Sequence, residues 1–216
     1  VDHHGTLWVG AGGRHLYHFE NGSFVLKLDL GGEATAINAL FEDADDNLWI
    51  GFTGGAGVGV LPKGDPARWH TVSGPTFPDV RTIGQGSDGA IWIGTYYGGA
   101  FRLKDDHCTR LTTQDGLPSN YIRFFLSETS GTVWLGTLHG LCRWRDGRLV
   151  AITSGQGLWN DSLSEMLADG RGNFWISSFG GIFRVRRDDL NDCADGRRAQ
   201  LEESRARLQH RILLME

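Results

Sequence analysis

Eight histidines, three cysteines and a recurring set of turn carboxylates are the side chains of this 216-residue sequence best suited to chemistry. His3, His4, His15, His18, His70, His107, His139 and His210 form no His-x-x-x-His or His-Glu-x-x-His pattern, the spacings that set imidazoles on one helix face around zinc. His15 and His18 fall in a strand-like hairpin, where residues three apart point to opposite faces. No metal and no cofactor is expected. Cys108, Cys142 and Cys193 are odd in number and lack paired spacing, which argues against a disulfide framework and a thiolate zinc site. Asp43, Asp45, Asp46, Asp88, Glu128 and Asp169 gather at one recurring turn. Short acids there hydrogen-bond their own backbone, with calcium as the chemical alternative. Neither Gly-x-Ser-x-Gly nor a phosphate-binding loop occurs, so no catalytic residue is assigned. What remains is recognition. Tyr96, Tyr97, Asn120, His139, Trp159, Asn160 and Phe179 offer aromatic faces and polar side chains that suit a small molecule or a carbohydrate, by stacking and hydrogen bonding.

The elements that must position these residues are repeats. Leu7-Trp8-Val9-Gly10, Leu48-Trp49-Ile50-Gly51, Ile91-Trp92-Ile93-Gly94, Val133-Trp134-Leu135-Gly136 and Phe174-Trp175-Ile176-Ser177 are five versions of one strand, with tryptophans 41, 43, 42 and 41 residues apart. A period of about 40–45 residues with strand content points to propeller blades. The flanking segments are short, bounded by glycine and rich in β-branched residues, unlike the long helices of a helical solenoid. The fold class expected is all-β, a partial β-propeller of four-stranded blades. Along such a strand Trp92 faces one neighbour and Ile91 and Ile93 the other. Trp8, Trp49, Trp92, Trp134 and Trp175 are therefore assigned to the packing between blades, and Gly94 and its equivalents to close approach of a neighbouring blade's backbone.

Strands are expected over 7–10, 16–19 and 24–28 in a first unit that lacks its first strand, and over 37–41, 48–51, 58–61 and 68–72 in the second. The third and fourth units repeat the four-strand order, and the fifth shows no clear fourth strand. In a four-stranded meander, the loop leading into a blade and the loop after its second strand share a face. Leading loops at 31–35, 74–79, 116–120 and 155–161, with second loops at 52–57, 95–98, 137–140 and 177–180, bring the seven recognition residues to one channel rim.

Asp115-Gly116-Leu117-Pro118-Ser119-Asn120-Tyr121-Ile122-Arg123, followed by Val133-Trp134-Leu135-Gly136-Thr137 and Gly140-Leu141-Cys142-Arg143-Trp144, resembles the two-component regulator propeller repeat. The resemblance extends over roughly 1–195. It departs in the second unit, where Gly54-Gly55-Ala56-Gly57-Val58-Gly59 is looser and the Gly-Leu-Pro lead is absent. The resemblance implies an extracytoplasmic (periplasmic or extracellular) sensor region of a bacterial signalling protein. In that family such regions are usually seven-bladed and precede a β-sandwich, a membrane span and a histidine kinase or diguanylate cyclase output. An alternative is an enzyme similar to streptogramin lyase, also a propeller, but that family continues its tryptophan strand with Phe-Thr-Glu where this chain writes an aliphatic residue, Gly and Thr. A purely structural or interaction propeller is the third reading.

Net charge of −5 leaves no broad basic surface for nucleic acid or anionic membrane, and no apolar run reaches membrane-spanning length. The chain opens within a repeat and without Met, as a piece of a longer protein would. Its partners would include the missing blades of that protein. Residues 1–194 are read as the propeller segment and 195–216 as a tail outside the pattern. Leu201, Leu208, Ile212 and Met215 would share one face if the tail were helical. The other readings of the tail are an artefactual chain end and a strand that closes the ring.

Overall fold

The structure is a computed structural model, and it describes residues 1–13, 15–30, 36–105 and 107–201. Five antiparallel sheets follow one another along the chain. The first holds β1 (Trp8–Ala11), β2 (His15–Glu20) and β3 (Ser23–Asp29), and the second β4 (Ile37–Glu42), β5 (Asn47–Phe52), β6 (Val58–Pro62) and β7 (His70–Thr71). The third is β8 (Val80–Gln85), β9 (Ile91–Thr95), β10 (Ala100–Lys104) and β11 (His107–Leu111). The fourth is β12 (Ile122–Ser127), β13 (Val133–Thr137), β14 (Gly140–Arg145) and β15 (Arg148–Ile152), and the fifth β16 (Leu163–Ala168), β17 (Asn173–Ser178) and β18 (Gly181–Arg186). Each is a meander in sequence order. The first strands β4, β8, β12 and β16 pack successively on one another, which makes them the inner edge of an open propeller arc.

One outer strand differs from the sequence expectation, and the fifth unit, which shows no clear fourth strand in sequence, carries a helix instead. The strand expected over 68–72 shrinks to β7, two residues long, because Asp65 caps a 3-10 turn over Pro66–Arg68. Trp69 then folds inward under Gly59, where an added Cβ would stand only 1.8 Å from its ring. In the fifth unit an eight-residue helix, α1 (Arg187–Ala194), follows β18 where a fourth strand would run. Its sequence lacks β-branched residues and places Asp188 and Asp189 in the first turn, which suits a helix N-terminus. Leu190 is buried against the fourth and fifth units. Arg143 of β14 donates to the Asn191 carboxamide at 3.0 Å and also to the Asp195 carboxylate. The helix thus lies within the stretch read as propeller. Leu201 is buried and its amide donates to the Gln156 carbonyl at 2.7 Å. Leu208, Ile212 and Met215 lie outside the described residues.

The tryptophan strands separate their two faces between neighbours. Trp92 packs with Leu117, Ile122 and Val133 of the fourth unit, while Ile91 and Ile93 pack with Val58, Val80 and the second unit's Trp49. Trp134 packs likewise on Leu163, Met166 and Phe174 of the fifth unit. Both indoles are fully buried. Trp8 and Trp49 are half-buried, as is Trp175, whose ring carries the Arg184 guanidinium 5.8 Å away.

What approaches the repeated glycine is a side chain rather than a backbone. Ile37 seats on Gly10, Val80 on Gly51 and Ile122 on Gly94. At Gly136 the occupant is the unit's own Phe124 ring. A Cβ on Gly94 would stand 2.6 Å from Thr82 Cγ2 and 2.7 Å from Ile122 Cγ2. Gly94→Ala is therefore expected to destabilise the arc by about 1–3 kcal/mol through overpacking. An urea melt with an unchanged midpoint would show that the seam gives way freely.

The recurring acid does more than shape a turn. Six residues before each tryptophan, Asp2, Asp43 and Glu128 accept the indole N–H of Trp8, Trp49 and Trp134 at 2.9, 2.7 and 3.0 Å. In the third unit that position is Gly86, and the buried Trp92 Nε1 has no partner among the described residues. A Cβ on Gly86 would stand 3.3 Å from Nε1 and 2.6 Å from the Asp88 oxygen that accepts from the Ala90 amide. Gly86→Asp should then supply the acceptor that the first, second and fourth units have, with a gain of about 1 kcal/mol. Thermal melts decide it, and a lowered midpoint would mean that crowding by Asp88 outweighs the new bond.

Candidate functional site

One end of the arc is built by two kinds of loop, each held by residues of the repeat. After the second strand, Thr95 Oγ1 donates to the Gly99 carbonyl at 2.8 Å and accepts from the Gly98 amide at 2.9 Å. Thr137 and Ser178 close the equivalent loops through the carbonyls of Gly140 and Gly181. The repeated Gly-Thr thus has two tasks, a seat for the neighbour and a clasp for the loop. In the leading loops, Thr112 and Thr153 form reciprocal caps with Asp115 and Gln156 around 3-10 turns. Gly116, at φ 110°, ends the first of these turns in the left-handed region, where a side chain is strained. Backbone bonds from Tyr96 to Asp79, Leu138 to Tyr121 and Phe179 to Ser162 tie second loops to leading loops. The two sets share a face.

The inner strands add side chains to this rim through an irregularity. Pairing slips by one residue at Asn38 in β4, Arg81 in β8, Arg123 in β12 and Ser164 in β16. A bulge of this kind re-aims the extra residue and bends its strand. Two of the four equivalent positions are arginine.

Those arginines meet the loop aromatics. Tyr96 and Tyr97 stack edge to face with centroids 4.1 Å apart, and Tyr96 lies 4.2 Å from Tyr121. The Arg81 guanidinium stands over Tyr96 and Tyr121 at 5.8 and 5.9 Å. That of Arg123 lies 4.8 Å from Tyr121 and 5.6 Å from Phe179. Tyr97 and Phe179 are 71% and 76% exposed, so their ring faces are open to solvent. The Tyr97 phenol is pushed above its ordinary value, first by a hydrogen bond with the Tyr96 side chain, with Tyr121 and Asp79 adding to it. It stands at the rim as a neutral hydroxyl.

Of the seven residues singled out from sequence, Tyr96, Tyr97 and Phe179 come together here. Asn120 and Asn160 build loops instead, their side-chain oxygens accepting from the amides of Thr113 and Ser162. His139 is exposed, and Trp159 packs perpendicular to Phe183 at 5.7 Å. Tyr121, Arg81 and Arg123 were not among the seven; Tyr121 precedes β12, and for Arg81 and Arg123 strand alternation does not foretell which residue a bulge turns outward. The only sequence cue is that Arg81 and Arg123 both follow the first apolar residue of an inner strand.

Other reactive groups offer less. The Cys142 thiol is pushed up to about 12 by burial, and burial also raises Cys108 and Cys193. None is poised as a thiolate nucleophile. His3 Nδ1 stands 3.2 Å from Glu42 Oε2 and 3.4 Å from Asp46 Oδ1 at an exposed seam between the first two units. Its partners lie some 40 residues away, which a spacing motif does not register.

Among the described residues no helix is long and apolar enough to cross a membrane. The two-component regulator propeller family matches residues 31–54, within the unit whose leading loop departs most from the repeat. The extracellular domain of a hybrid two-component system from B. thetaiotaomicron is similar in structure, with a TM-score of 0.73 at 23% identity. The similarity covers 88% of this chain but 28% of that one. A one-component system's extracellular domain from the same organism aligns at 17% identity with a TM-score of 0.66, over 86% of this chain and 27% of that chain. Virginiamycin B lyase from Staphylococcus aureus, solved with quinupristin, aligns at 15% identity with a TM-score of 0.69, over 87% of this chain and 65% of the lyase. Comparison with the curated proteins finds no match. With five successive tryptophan sheets in an open arc and a family match over residues 31–54, this chain has a propeller fold and is similar to the two-component regulator propellers.

Proposed function

We propose that this chain is a non-catalytic, ligand-sensing part of an extracytoplasmic receptor in bacterial signal transduction, and that it recognises a small molecule or saccharide at the loop rim. The observation that carries this reading is the exposure of Tyr97 and Phe179 beside Tyr96 and Tyr121. Large aromatic faces left open at the mouth of a rigid β-scaffold are recognition surfaces more readily than packing. The family match and the fold shared with extracellular domains of bacterial regulators support the compartment and the role. A larger chain would supply the remaining blades and the output, kinase or cyclase.

A thermal-shift panel of oligosaccharides on the chain, repeated on the Tyr97→Ala, Phe179→Ala double variant, tests the reading. At least one saccharide is expected to raise the melting temperature of the parent and not of the variant. No shift across the panel would remove the rim from recognition. Chemical alteration of quinupristin by the chain would replace the sensing reading with that of a lyase.

A further inference from the structure

The rim carries two arginines as well as aromatic rings, and neither is held in an ion pair among the described residues. Among the described residues, neither Arg81 nor Arg123 forms an ion pair with a carboxylate within 4.0 Å. Arg123 Nε is buried and has no hydrogen-bond partner there. The nearest acid in the sequence, Asp79 in the leading loop, lies near enough to raise the Tyr97 phenol, but its carboxylate accepts from the Gly54 amide and forms no ion pair with either arginine. By contrast Arg102 is paired with Asp88, Arg143 with Asp195 and Arg187 with Glu128. In a chain of net charge −5, two arginines placed at equivalent bulges without an ion pair among the described residues need an explanation. A guanidinium beside a tyrosine ring uses its charge on the ring face and leaves N–H groups free for other acceptors. Five donors in a planar fork suit carboxylate or sulfate oxygens.

We propose that the rim between the third and fourth units binds an anionic saccharide. Arg81 and Arg123 take its carboxylate or sulfate groups, and Tyr97 and Phe179 take faces of its sugar rings. This rests on the sensing reading above and narrows the ligand class. Asn38 and Ser164, at the same bulge position in the second and fifth units, are neutral, which confines the anionic contact to the middle of the arc. Because the whole chain is acidic, general attraction of polyanions does not account for such binding, and the local pair of arginines must supply it.

The test is calorimetric titration of the chain with three probes of equal length: oligogalacturonate, dextran sulfate oligomers and fully methyl-esterified oligogalacturonate. One or both anionic probes are expected to bind at least about tenfold more tightly than the neutral ester, with affinity falling as salt rises. The preference between them identifies carboxylate or sulfate as the source of charge. Arg81→Gln, an exposed position, should lose that advantage while its thermal melt stays at the parent value, and Arg123→Gln provides the second measurement. Equal binding of the neutral ester with no effect of Arg81→Gln would overturn the anionic inference and leave saccharide sensing intact. Anionic binding that survives the double glutamine variant would overturn the site. Binding of no probe would overturn the proposal, while a thermal shift by some other saccharide would still support the broader reading.

Discussion

Trp134→Ala is expected to lower the unfolding free energy by about 3–5 kcal/mol, the cost of removing a large buried ring from a filled interior. Trp134 is fully buried, and its ring lies 5.9 Å from Phe174 of the next unit. The substitution also strips the indole from Glu128, a buried acid whose other oxygen receives Arg187 at 2.5 Å. Three contacts are therefore lost together: the cavity against the fifth unit, one side of Glu128 and the support beneath α1. In a repeat array each unit is stabilised by its neighbours, so the loss falls on the boundary between units four and five. Trp175→Ala is the control, because that indole is half-buried and meets Arg184 rather than another unit. A loss smaller than at Trp134 is expected there, because part of that ring already faces water. Denaturant melts that give the two variants equal losses would remove the inter-unit role of Trp134.

The isolated chain is expected to self-associate as its concentration rises. The five sheets do not close into a ring. The fifth unit exposes Leu167 at 64% and Ile182 at 48%, and the first exposes Phe24 at 54% and Leu26 at 46%. Within the fifth sheet, β18 pairs with β17 and no further strand lies beyond it among the described residues. Unpaired strand edges and broad apolar faces are templates for association. We propose that further units of the same protein cover these faces, since the chain spans 28% of the B. thetaiotaomicron hybrid-system domain that it resembles. Sedimentation velocity over a hundredfold concentration range reads the outcome. Oligomers that vanish once flanking repeats are restored are the expected result. A compact monomer throughout would mean that the chain protects its own ends.

Much of this architecture was legible in the residues. Aromatic residues at a period near 42 demand one slot per sheet, and strand alternation then assigns Trp92 to one neighbour and Ile91 and Ile93 to the other. Asn21-Gly22 places the hairpin between β2 and β3, with φ of 50° and 80° at the two positions, because such a turn needs left-handed residues at both. The short fourth strand at β7 and the helix α1 were not legible. Each depends on what a segment meets after folding: Trp69 finds the space over Gly59, and Arg143 finds Asn191 and Asp195 across 48 and 52 residues of chain.

The functional site divides in the same way. Sequence alone determines that the loops beginning with Tyr96 and ending with Phe179 share a face, because meander order dictates which connections lie together. It also assigns the five repeat tryptophans to packing, of which Trp92 and Trp134 are fully buried while Trp8, Trp49 and Trp175 are half-buried. Tertiary structure alone decides that Asn120 and Asn160 are committed to loop amides, and that Arg81, Arg123 and Tyr121 join the exposed rings. The reason is physical. Alternation along a strand is a local property of the backbone, whereas a bulge, an inter-unit hydrogen bond and an unpaired guanidinium arise only when distant segments compete for the same space and charge.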